Sequence, residues 1–246
     1  MLKFVWNFIF KLTGSDISFS VSYYNWDFFL IELPADYQGI EGILARRKLI
    51  PLKDPRGNAR IQIAGCDMKD VQIVGPYYEI TVQVPVEALD GSEHAHYTHL
   101  YLPVTTESAR WPGVDISGFP KFISRIDRYE KDHKIHWRLG GEEMPVLMFE
   151  IEDVTGPEKR IRWDYYGIRK GALIKTVFEI EGKIFEGEAG QNTKLTLGEH
   201  PIAVELGKLL LSDEVTRIIT GHGLKGKLIK PVPARHAFQM HREPAS

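Results

Sequence analysis

Alternation of apolar and polar side chains over residues 77–86 is the feature that most constrains the fold. Ile80, Val82 and Val84 fall on one side of an extended chain, and Glu79 falls on the other. Successive side chains of a β-strand point to opposite faces, so this period of two predicts a strand with one apolar face. A helix does not fit, because its apolar positions recur every three or four residues.

Comparable strand patterns recur along the chain, separated by Gly-, Pro- or charge-bearing breaks. They are predicted at residues 17–33, 60–64, 96–104, 121–128, 135–139, 146–151, 161–166, 172–180 and 228–230. Helical spacing is confined to residues 38–48, 203–211 and 213–219. About nine or ten short strands with minor helices are typical of one mainly β, mainly antiparallel domain, a barrel or a sandwich. The absence of a repeating strand–helix–strand rhythm argues against a dinucleotide-binding α/β fold.

Composition and charge narrow the class of protein. The 246 residues are 43% hydrophobic and 26% charged, which indicates an ordinary folded domain and not a disordered chain. The net charge of −2 gives no electrostatic basis for a nucleic-acid partner. The single cysteine, Cys66, excludes an internal disulfide, fits a reducing compartment and is interpreted as a core thiol. We expect a cytoplasmic protein with a single domain over residues 1–246.

Residues 1–16 form an apolar N-terminal arm. The arm is shorter than the ~20 residues that cross a bilayer, and no signal-peptide cleavage site follows it. We expect it to pack on the body of the protein or on a partner subunit, with an interfacial anchor as the alternative. No other segment approaches a membrane span, so no membrane partner is predicted.

A turn signal at Gly118 and Pro120 precedes the candidate nucleophile, Lys121. Pro120 fixes its own backbone torsion, so Lys121 leaves the turn from a stiff base. Phe119 and Phe122 flank Lys121 in the sequence, so we expect apolar surroundings, which disfavour the ammonium form. A neutral amine attacks a carbonyl carbon and forms a Schiff base. A solvated lysine without a chemical role is the alternative.

Glu79 is the second candidate, on the polar face of the clearest strand. If that face lines the lumen of a barrel, the carboxylate can move protons or position a substrate. If the face points outward, Glu79 is merely solvated. Alternation alone leaves both orientations open.

Three histidines raise the hypothesis of a metal site. His94 and His96 share one face of a regular strand and His99 takes the other, so a zinc site would need a third ligand from elsewhere. We interpret the three as exposed loop and edge-strand residues, and we predict no metal.

Three segments of the chain resemble the acetoacetate decarboxylase family. Ser117–Lys121 is similar to the family's small-aromatic-Pro-Lys segment, whose lysine forms the Schiff base. Gly75–Glu79 resembles the segment that supplies an active-site glutamate, and the predicted closing helix pair with Gly221–Pro231 resembles the family's C-terminus. The likeness covers roughly residues 20–235. It implies a large closed antiparallel β structure with a central cavity, often assembled into homo-oligomers.

The sequence also departs from the family pattern. The decarboxylases follow the nucleophile with a second lysine, where this chain has Phe122. A further family glutamate falls at Gln62, and the substrate-binding arginine falls near Trp26. Without the second cation, the neutral form of Lys121 is expected to depend on burial alone.

The resemblance therefore implies a lyase-type enzyme that forms a lysine Schiff base with a keto acid or ketone. The expected reaction is decarboxylation of a β-keto acid without a metal or organic cofactor. The predicted catalytic residues are Lys121 and Glu79, and the predicted substrate-binding residues are Trp26, Gln62, Tyr78, Phe119 and Phe122. The alternatives are a Schiff-base aldolase or aldolase-dehydratase, and a non-catalytic cavity protein that binds an apolar small molecule.

Overall fold

A computed structural model describes residues 20–190, 193–229 and 231–234 of the chain. The strands in these ranges are β1 (Val21–Ala35), β2 (Ala59–Val71), β3 (Tyr77–Pro85), β4 (Ala95–Val104), β5 (Lys121–Ile123), β6 (Ile126–Lys131), β7 (Lys134–Gly140), β8 (Pro145–Glu152), β9 (Glu158–Arg169), β10 (Ala172–Glu188), β11 (Lys194–Leu197), β12 (Arg217–Leu228) and β13 (Val232–Pro233). The helices there are α1 (Tyr37–Ala45), α2 (Glu107–Asp115) and α3 (Pro201–Leu209). The mainly β class predicted from the alternation is confirmed.

Seven strands close into a barrel in the order β12-β1-β2-β3-β4-β9-β10, and β10 pairs with β12 to complete the ring. The neighbouring strands are antiparallel except β4 and β9, which are parallel. The predicted closed β structure is confirmed, and its sheet is mixed because the segment between β4 and β9 crosses over before it rejoins the barrel. Such a crossover lets a strand return in the same direction as the one before it.

The crossover carries a second, antiparallel sheet in the order β11-β8-β7-β6. Trp137 of β7 packs over Gly65 of β2, where an added Cβ atom would lie only 2.2 Å from the indole ring. Apolar residues from the barrel and from this sheet form one continuous core that we call the outer cluster. It includes Phe29, Ile31, Leu33, Ile61, Ile63, Ile80, Val82, Val84, Trp137, Leu139, Phe149 and Ile151.

A second set of buried residues fills much of the barrel lumen, and we call it the inner cluster. It includes Trp26, Phe28, Leu30, Ala64, Cys66, Met68, Tyr77, Leu102, Phe119, Tyr165, Phe178 and Ile219. Strand β1 contributes to both clusters, because Phe28 and Leu30 face the lumen while Phe29 and Ile31 face the second sheet. The barrel wall is therefore buried on two sides where the second sheet covers it.

Strand β3 shows which way the alternating pattern points. Its apolar side chains, including Ile80 and Val82, belong to the outer cluster. Its polar side chains, Glu79, Thr81 and Gln83, line the lumen and are buried. Of the two orientations left open for Glu79, the structure therefore has the inward one.

The helices agree only in part with the sequence patterns. The stretches predicted at residues 38–48 and 203–211 correspond to α1 and α3, whereas α2 was not predicted. The helix predicted at residues 213–219, and with it the closing helix pair, is wrong, because β12 begins at Arg217 and continues through Gly221. Gly221 allows this strand to approach β1 closely, since a Cβ atom there would lie 2.6 Å from the Phe28 ring. Tertiary packing thus overrides the local helical spacing.

The apolar arm at residues 1–16 lies outside the described residues, so its predicted packing stays a prediction. Within the described ranges, no helix has both the length and the apolar character needed to cross a membrane.

Candidate active site

The loop that leads to Lys121 is fixed against the barrel wall. It follows α2 and passes through Gly118, which has a positive φ of 62°. A Cβ atom at Gly118 would lie 2.6 Å from the carbonyl carbon of Ile168 on β9, so a side chain would be strained and would also clash. The amide of Ile168 donates a hydrogen bond of 3.1 Å to the carbonyl of Gly118. The predicted glycine turn is confirmed, and it docks the loop on β9.

Pro120 sets the direction in which Lys121 leaves this loop. The amide of Lys121 donates to the carbonyl of Phe119 across Pro120, at 2.8 Å. This three-residue turn suits proline, whose fixed φ matches that of an inverse γ-turn. Lys121 then begins β5, which pairs with β4 opposite Leu102. The lysine side chain is thereby directed into the lumen.

Lys121 and Glu79 form a buried ion pair. Nζ of Lys121 donates to Oε2 of Glu79 at 2.6 Å, and the two side chains are 7% and 12% exposed. Nζ also lies 5.5 Å from the centre of the Tyr77 ring. The expectation that Lys121 has only apolar burial around it is therefore wrong, because a carboxylate is bonded directly to its Nζ.

Helix α2 holds the aliphatic part of Lys121 in place. A Cβ atom on Gly113 would lie 2.4 Å from Cδ of Lys121 and 2.7 Å from Cε. The absence of a side chain at Gly113 gives the lysine room to extend toward Glu79. Sequence alone did not point to Gly113, because α2 itself carries an internal proline, Pro112, and a weak helical pattern.

The ion pair faces a cavity of about 90 Å³ inside the barrel. A single water needs only about 10–15 Å³ by this measure, so the space can hold a small organic molecule. Its walls are mostly apolar and aromatic, formed by residues that include Trp26, Phe28, Met68, Phe119, Trp163 and Phe178. Among the described residues that line it, the charged side chains are Lys121 and Glu79. This combination suits a mainly apolar ligand with a carbonyl group.

Two of the five predicted substrate-binding residues line the cavity, namely Trp26 and Phe119. The other three lie outside its lining. Tyr78 points to the opposite face of β3 from Glu79 and packs edge-on against Trp137, with ring centres 5.7 Å apart. Phe122 alternates with Lys121 along β5 and so takes the other face of that strand.

Gln62 is the third residue outside the lining. It is buried, and its Oε1 accepts a hydrogen bond of 2.9 Å from Gln83, which does line the cavity. Gln62 therefore stands one residue behind the cavity wall, and a direct contact between Gln62 and a bound molecule is not supported.

Comparisons with known proteins identify the family of this chain. A family model described as acetoacetate decarboxylase (ADC) matches residues 12–158, more than half of the chain. This chain belongs to the acetoacetate decarboxylase family. No curated protein matched the sequence significantly.

Solved structures share the fold at low sequence identity. Acetoacetate decarboxylase from Legionella pneumophila is 16% identical, with 87% of this chain and 88% of that chain covered and a TM-score of 0.65. The enduracididine biosynthesis enzyme MppR, complexed with the condensation product of pyruvate and imidazole 4-carboxaldehyde, is 13% identical, with 90% of each chain covered and a TM-score of 0.60. An acetoacetate decarboxylase-like enzyme from Sphingomonas wittichii is 11% identical, with 89% of this chain and 94% of that chain covered and a TM-score of 0.55. At these identities the likeness concerns the fold and not the reaction.

In this acetoacetate decarboxylase family member, the sequence patterns missed a polar wall beside Lys121. His99 lines the cavity, and its Nδ1 lies 2.8 Å from the hydroxyl of Thr81. Burial, and then the charges of Lys121 and Arg47, lower the pKa of His99 to about 3, so the ring is neutral at pH 7. A charge change near neutral pH is what usually marks a functional histidine, and this one lacks it.

The interpretation of the histidines as exposed is wrong for two of the three. His96 and His99 are both buried, on opposite faces of β4, and His96 bonds to Ser92 at 2.7 Å. Among the described residues there is no cluster of three or more side chains able to hold a metal ion. Cys66 is a buried free thiol that also lines the cavity, and burial raises its pKa well above the usual value.

Proposed function

We propose that this protein forms a Schiff base between Nζ of Lys121 and the ketone carbon of a keto acid or ketone. The observation that carries the proposal is the bond between Lys121 and Glu79 at a cavity whose walls are mostly apolar. Removing two charges from water is costly, and replacing such a pair by apolar residues is often neutral or stabilising. We therefore infer that the ion pair lining the cavity has a role other than stability.

Glu79 completes the proton transfers of the reaction. It takes a proton from the ammonium of Lys121, which leaves a neutral amine and a carboxylic acid. The amine lone pair forms the C–N bond, the carbonyl π electrons move to oxygen, and the proton from nitrogen converts that oxygen to a hydroxyl. The acid of Glu79 then protonates the hydroxyl, which leaves as water, and an iminium ion and a Glu79 carboxylate remain.

The iminium ion is the electron sink for decarboxylation of a β-keto acid. Its nitrogen accepts the electron pair of the breaking C–C bond, so carbon dioxide leaves and an enamine forms. Protonation of the enamine on carbon and hydrolysis of the imine release a ketone and regenerate Lys121. Capture of the same enamine by an aldehyde would make the reaction an aldol addition instead.

The cavity walls favour a substrate with an apolar group larger than the methyl group of acetoacetate. Trp26 stacks on Phe28 and Phe178, with ring centres 5.6 Å and 5.4 Å apart, and all three rings line the cavity. An aromatic wall of this kind binds apolar groups and leaves orientation to a few polar residues. MppR is described in complex with pyruvate, which supports testing α-keto acids as well.

Reductive trapping tests the proposal. The protein is incubated separately with acetoacetate, pyruvate and a β-keto acid that bears a pentyl tail, then reduced with borohydride, digested and analysed by peptide mass spectrometry. We expect an adduct on Lys121, and the highest yield with the tailed acid. Carbon dioxide release from the two β-keto acids separates decarboxylation from imine formation alone.

Two variants control this experiment. Lys121→Ala removes the proposed nucleophile and is expected to give no adduct. Lys131→Ala removes an exposed lysine on β6 and is expected to leave the adduct yield unchanged. Equal yields from the wild type and Lys121→Ala would refute the proposal, and saturable binding of the probes without any adduct would favour a non-catalytic cavity protein.

A further inference from the structure

A chain of buried polar side chains runs from Glu32 to the cavity. Nε2 of Gln62 donates to Oε2 of Glu32 at 2.7 Å, and Nε2 of Gln83 donates to Oε1 of Gln62 at 2.9 Å. The hydroxyl of Thr81 lies 3.4 Å from Oε1 of Gln83 and 2.8 Å from Nδ1 of His99. All five side chains are buried. The chain therefore joins an acidic residue in the barrel wall to a histidine on the cavity surface.

The carboxylate at one end sets the direction of every bond in this chain. Glu32 has the guanidinium groups of Arg60 and Arg217 at 3.5 Å and 3.8 Å, and an ionised carboxylate only accepts hydrogen bonds. Gln62 must then turn its NH2 group to Glu32 and its oxygen to Gln83. The same rule turns the NH2 group of Gln83 to Gln62 and leaves the oxygen of Gln83 facing Thr81.

The single hydroxyl hydrogen of Thr81 decides the tautomer of His99. If Thr81 donates to Gln83, it accepts from Nδ1–H of His99, and both contacts are hydrogen bonds. If Thr81 donates to His99 instead, two lone pairs face each other between Thr81 and Gln83. The first arrangement satisfies one more buried polar atom, and buried polar atoms in native proteins are nearly always paired.

The second nitrogen of the ring faces a different environment. The hydrogen bond to Thr81 uses Nδ1, and the ring lines the cavity together with Lys121. Tyr165 stacks on the ring at 4.8 Å and Phe119 packs edge-on at 4.9 Å, which restricts rotation of the imidazole. With the proton held on Nδ1, the lone pair of Nε2 is left for a bound molecule.

We propose that the chain from Glu32 fixes His99 as the Nδ1–H tautomer, and that Nε2 accepts a hydrogen bond from the hydroxyl group formed when Lys121 adds to a ketone. The second half of this inference rests on the proposed function. The hydroxyl arises on the carbon bonded to Nζ, and it needs an acceptor while Glu79 holds the proton that will expel it as water. Because Nε2 stays neutral, it orients the hydroxyl without competing for that proton.

The side-chain amides of Gln62 and Gln83 are suited to ordering His99 and are not suited to relaying protons. An amide donates and accepts but does not readily pass a proton along, so the chain orders His99 without exchanging its proton with the surface. Gln62, Gln83 and Thr81 are thus positioning residues. This gives Gln62 an influence on the site although it does not line the cavity.

Nitrogen-15 NMR of the full chain with labelled histidine tests the tautomer directly. Long-range proton–nitrogen correlations of the ring show which nitrogen carries the proton. We expect Nδ1–H in the wild type and in Thr81→Ser, and loss of this preference in Thr81→Val, which keeps the side-chain volume but lacks the hydroxyl. An Nε2–H tautomer in the wild type would overturn the proposal, whether or not Lys121 is catalytic.

The rate of adduct formation tests the role in the reaction. With the tailed β-keto acid and borohydride, we expect trapping to be about two- to tenfold slower in Thr81→Val, the size of effect that the loss of one neutral hydrogen bond has, and largely rescued in Thr81→Ser. Equal rates in the wild type and Thr81→Val would refute the role of His99. Failure of the wild type to form any adduct would instead refute the proposed function, and the NMR result would stand on its own.

Discussion

The outer cluster and the inner cluster are both buried, yet they are built differently. The outer cluster joins two sheets through apolar side chains that fill the space between them, as where Trp137 covers Gly65. The inner cluster surrounds a cavity and holds an ion pair, Lys121 with Glu79, together with the neutral imidazole of His99. Burial alone therefore does not distinguish the candidate active site from the rest of the core. The lumen differs from the outer cluster because it holds buried polar side chains next to a cavity.

This difference has an energetic reason. Apolar burial stabilises a fold roughly in proportion to the area removed from water, and close packing adds to it. A buried ion pair with a cavity beside it contributes little to stability and tends to reduce it. We infer that apolar burial in the outer cluster stabilises the barrel. This stabilisation offsets the cost of burying polar groups in the inner cluster.

Truncation of Trp137 in the outer cluster has the largest expected effect on the free energy of unfolding. Trp137→Ala leaves a hole above Gly65 and is expected to lower the free energy of unfolding by about 3–5 kcal/mol. Urea denaturation measures this loss, with Tyr129→Ala as the control, because Tyr129 is an aromatic residue of the same sheet that is 47% exposed. A loss below about 1 kcal/mol for Trp137→Ala would contradict the stabilising role of the outer cluster.

Replacement of the ion pair is expected to act in the opposite direction. Glu79→Leu alone leaves the lysine without its partner and is expected to cost about 3–5 kcal/mol, whereas Lys121→Met combined with Glu79→Leu is expected to be neutral or to stabilise by about 1–4 kcal/mol. Urea denaturation of the two single variants and the double variant completes the cycle. If the double variant is as unstable as Glu79→Leu, the pair has a structural role and the contrast between the clusters fails.

A glycine next to the site tests how closely the inner cluster is shaped around Lys121. Gly113→Ala places a methyl group within 2.4 Å of Cδ of Lys121, so the lysine must move. We expect adduct formation to slow by about ten- to a hundredfold, because misplacement of a reacting group by about 1 Å has effects of this size. Gly42→Ala is the matched control in α1, since a Cβ atom at Gly42 has no neighbour within 4 Å. Equal trapping rates in the two variants would show that the contact at Gly113 does not position Lys121.

The pH dependence of stability reports on His99, the neutral imidazole of the inner cluster. The pKa of His99 falls from 6.5 to about 3 on folding, so between these values the unfolded chain binds a proton that the folded protein does not. Stability is then full above pH 6.5 and decreases as the pH falls toward 3, by at most about 1.4 kcal/mol per pH unit.

Denaturation of the wild type and His99→Gln over this range isolates the contribution of the histidine. The difference in unfolding free energy between the two proteins should shrink as the pH falls. A constant difference between pH 6.5 and pH 4 would show that His99 is not held neutral by the fold.

The local patterns in the sequence determined a large part of this fold. Alternation in β3 predicted the strand and the shared face of Glu79 with Thr81 and Gln83, because the period of two follows from backbone geometry alone. The Gly118–Pro120 turn was equally predictable, since one residue requires a positive φ and the other fixes its own. The likeness around Lys121 and Glu79 then named the two residues that the structure brings within 2.6 Å.

Other features depended on contacts that no local pattern encodes. Residues 213–219 have helical spacing, but β12 runs through Gly221 because pairing with β1 and contact with Phe28 outweigh that preference. The direction of His99 was likewise set by the fold, since β4 shifts register against β3 between Val82 and Gln83. A shift of this kind changes which side chains face the lumen after it.

The sequence by itself thus determined most of the strands, the turn and the candidate nucleophile, Lys121. Only the tertiary structure decided that the polar face of β3 points inward, that Tyr78 and Phe122 point away from the cavity, and that His99 joins it. The physical reason is that alternation defines two faces of a strand without saying what covers either one. In this protein the second sheet covers the apolar face of β3, and the polar face is left to the lumen.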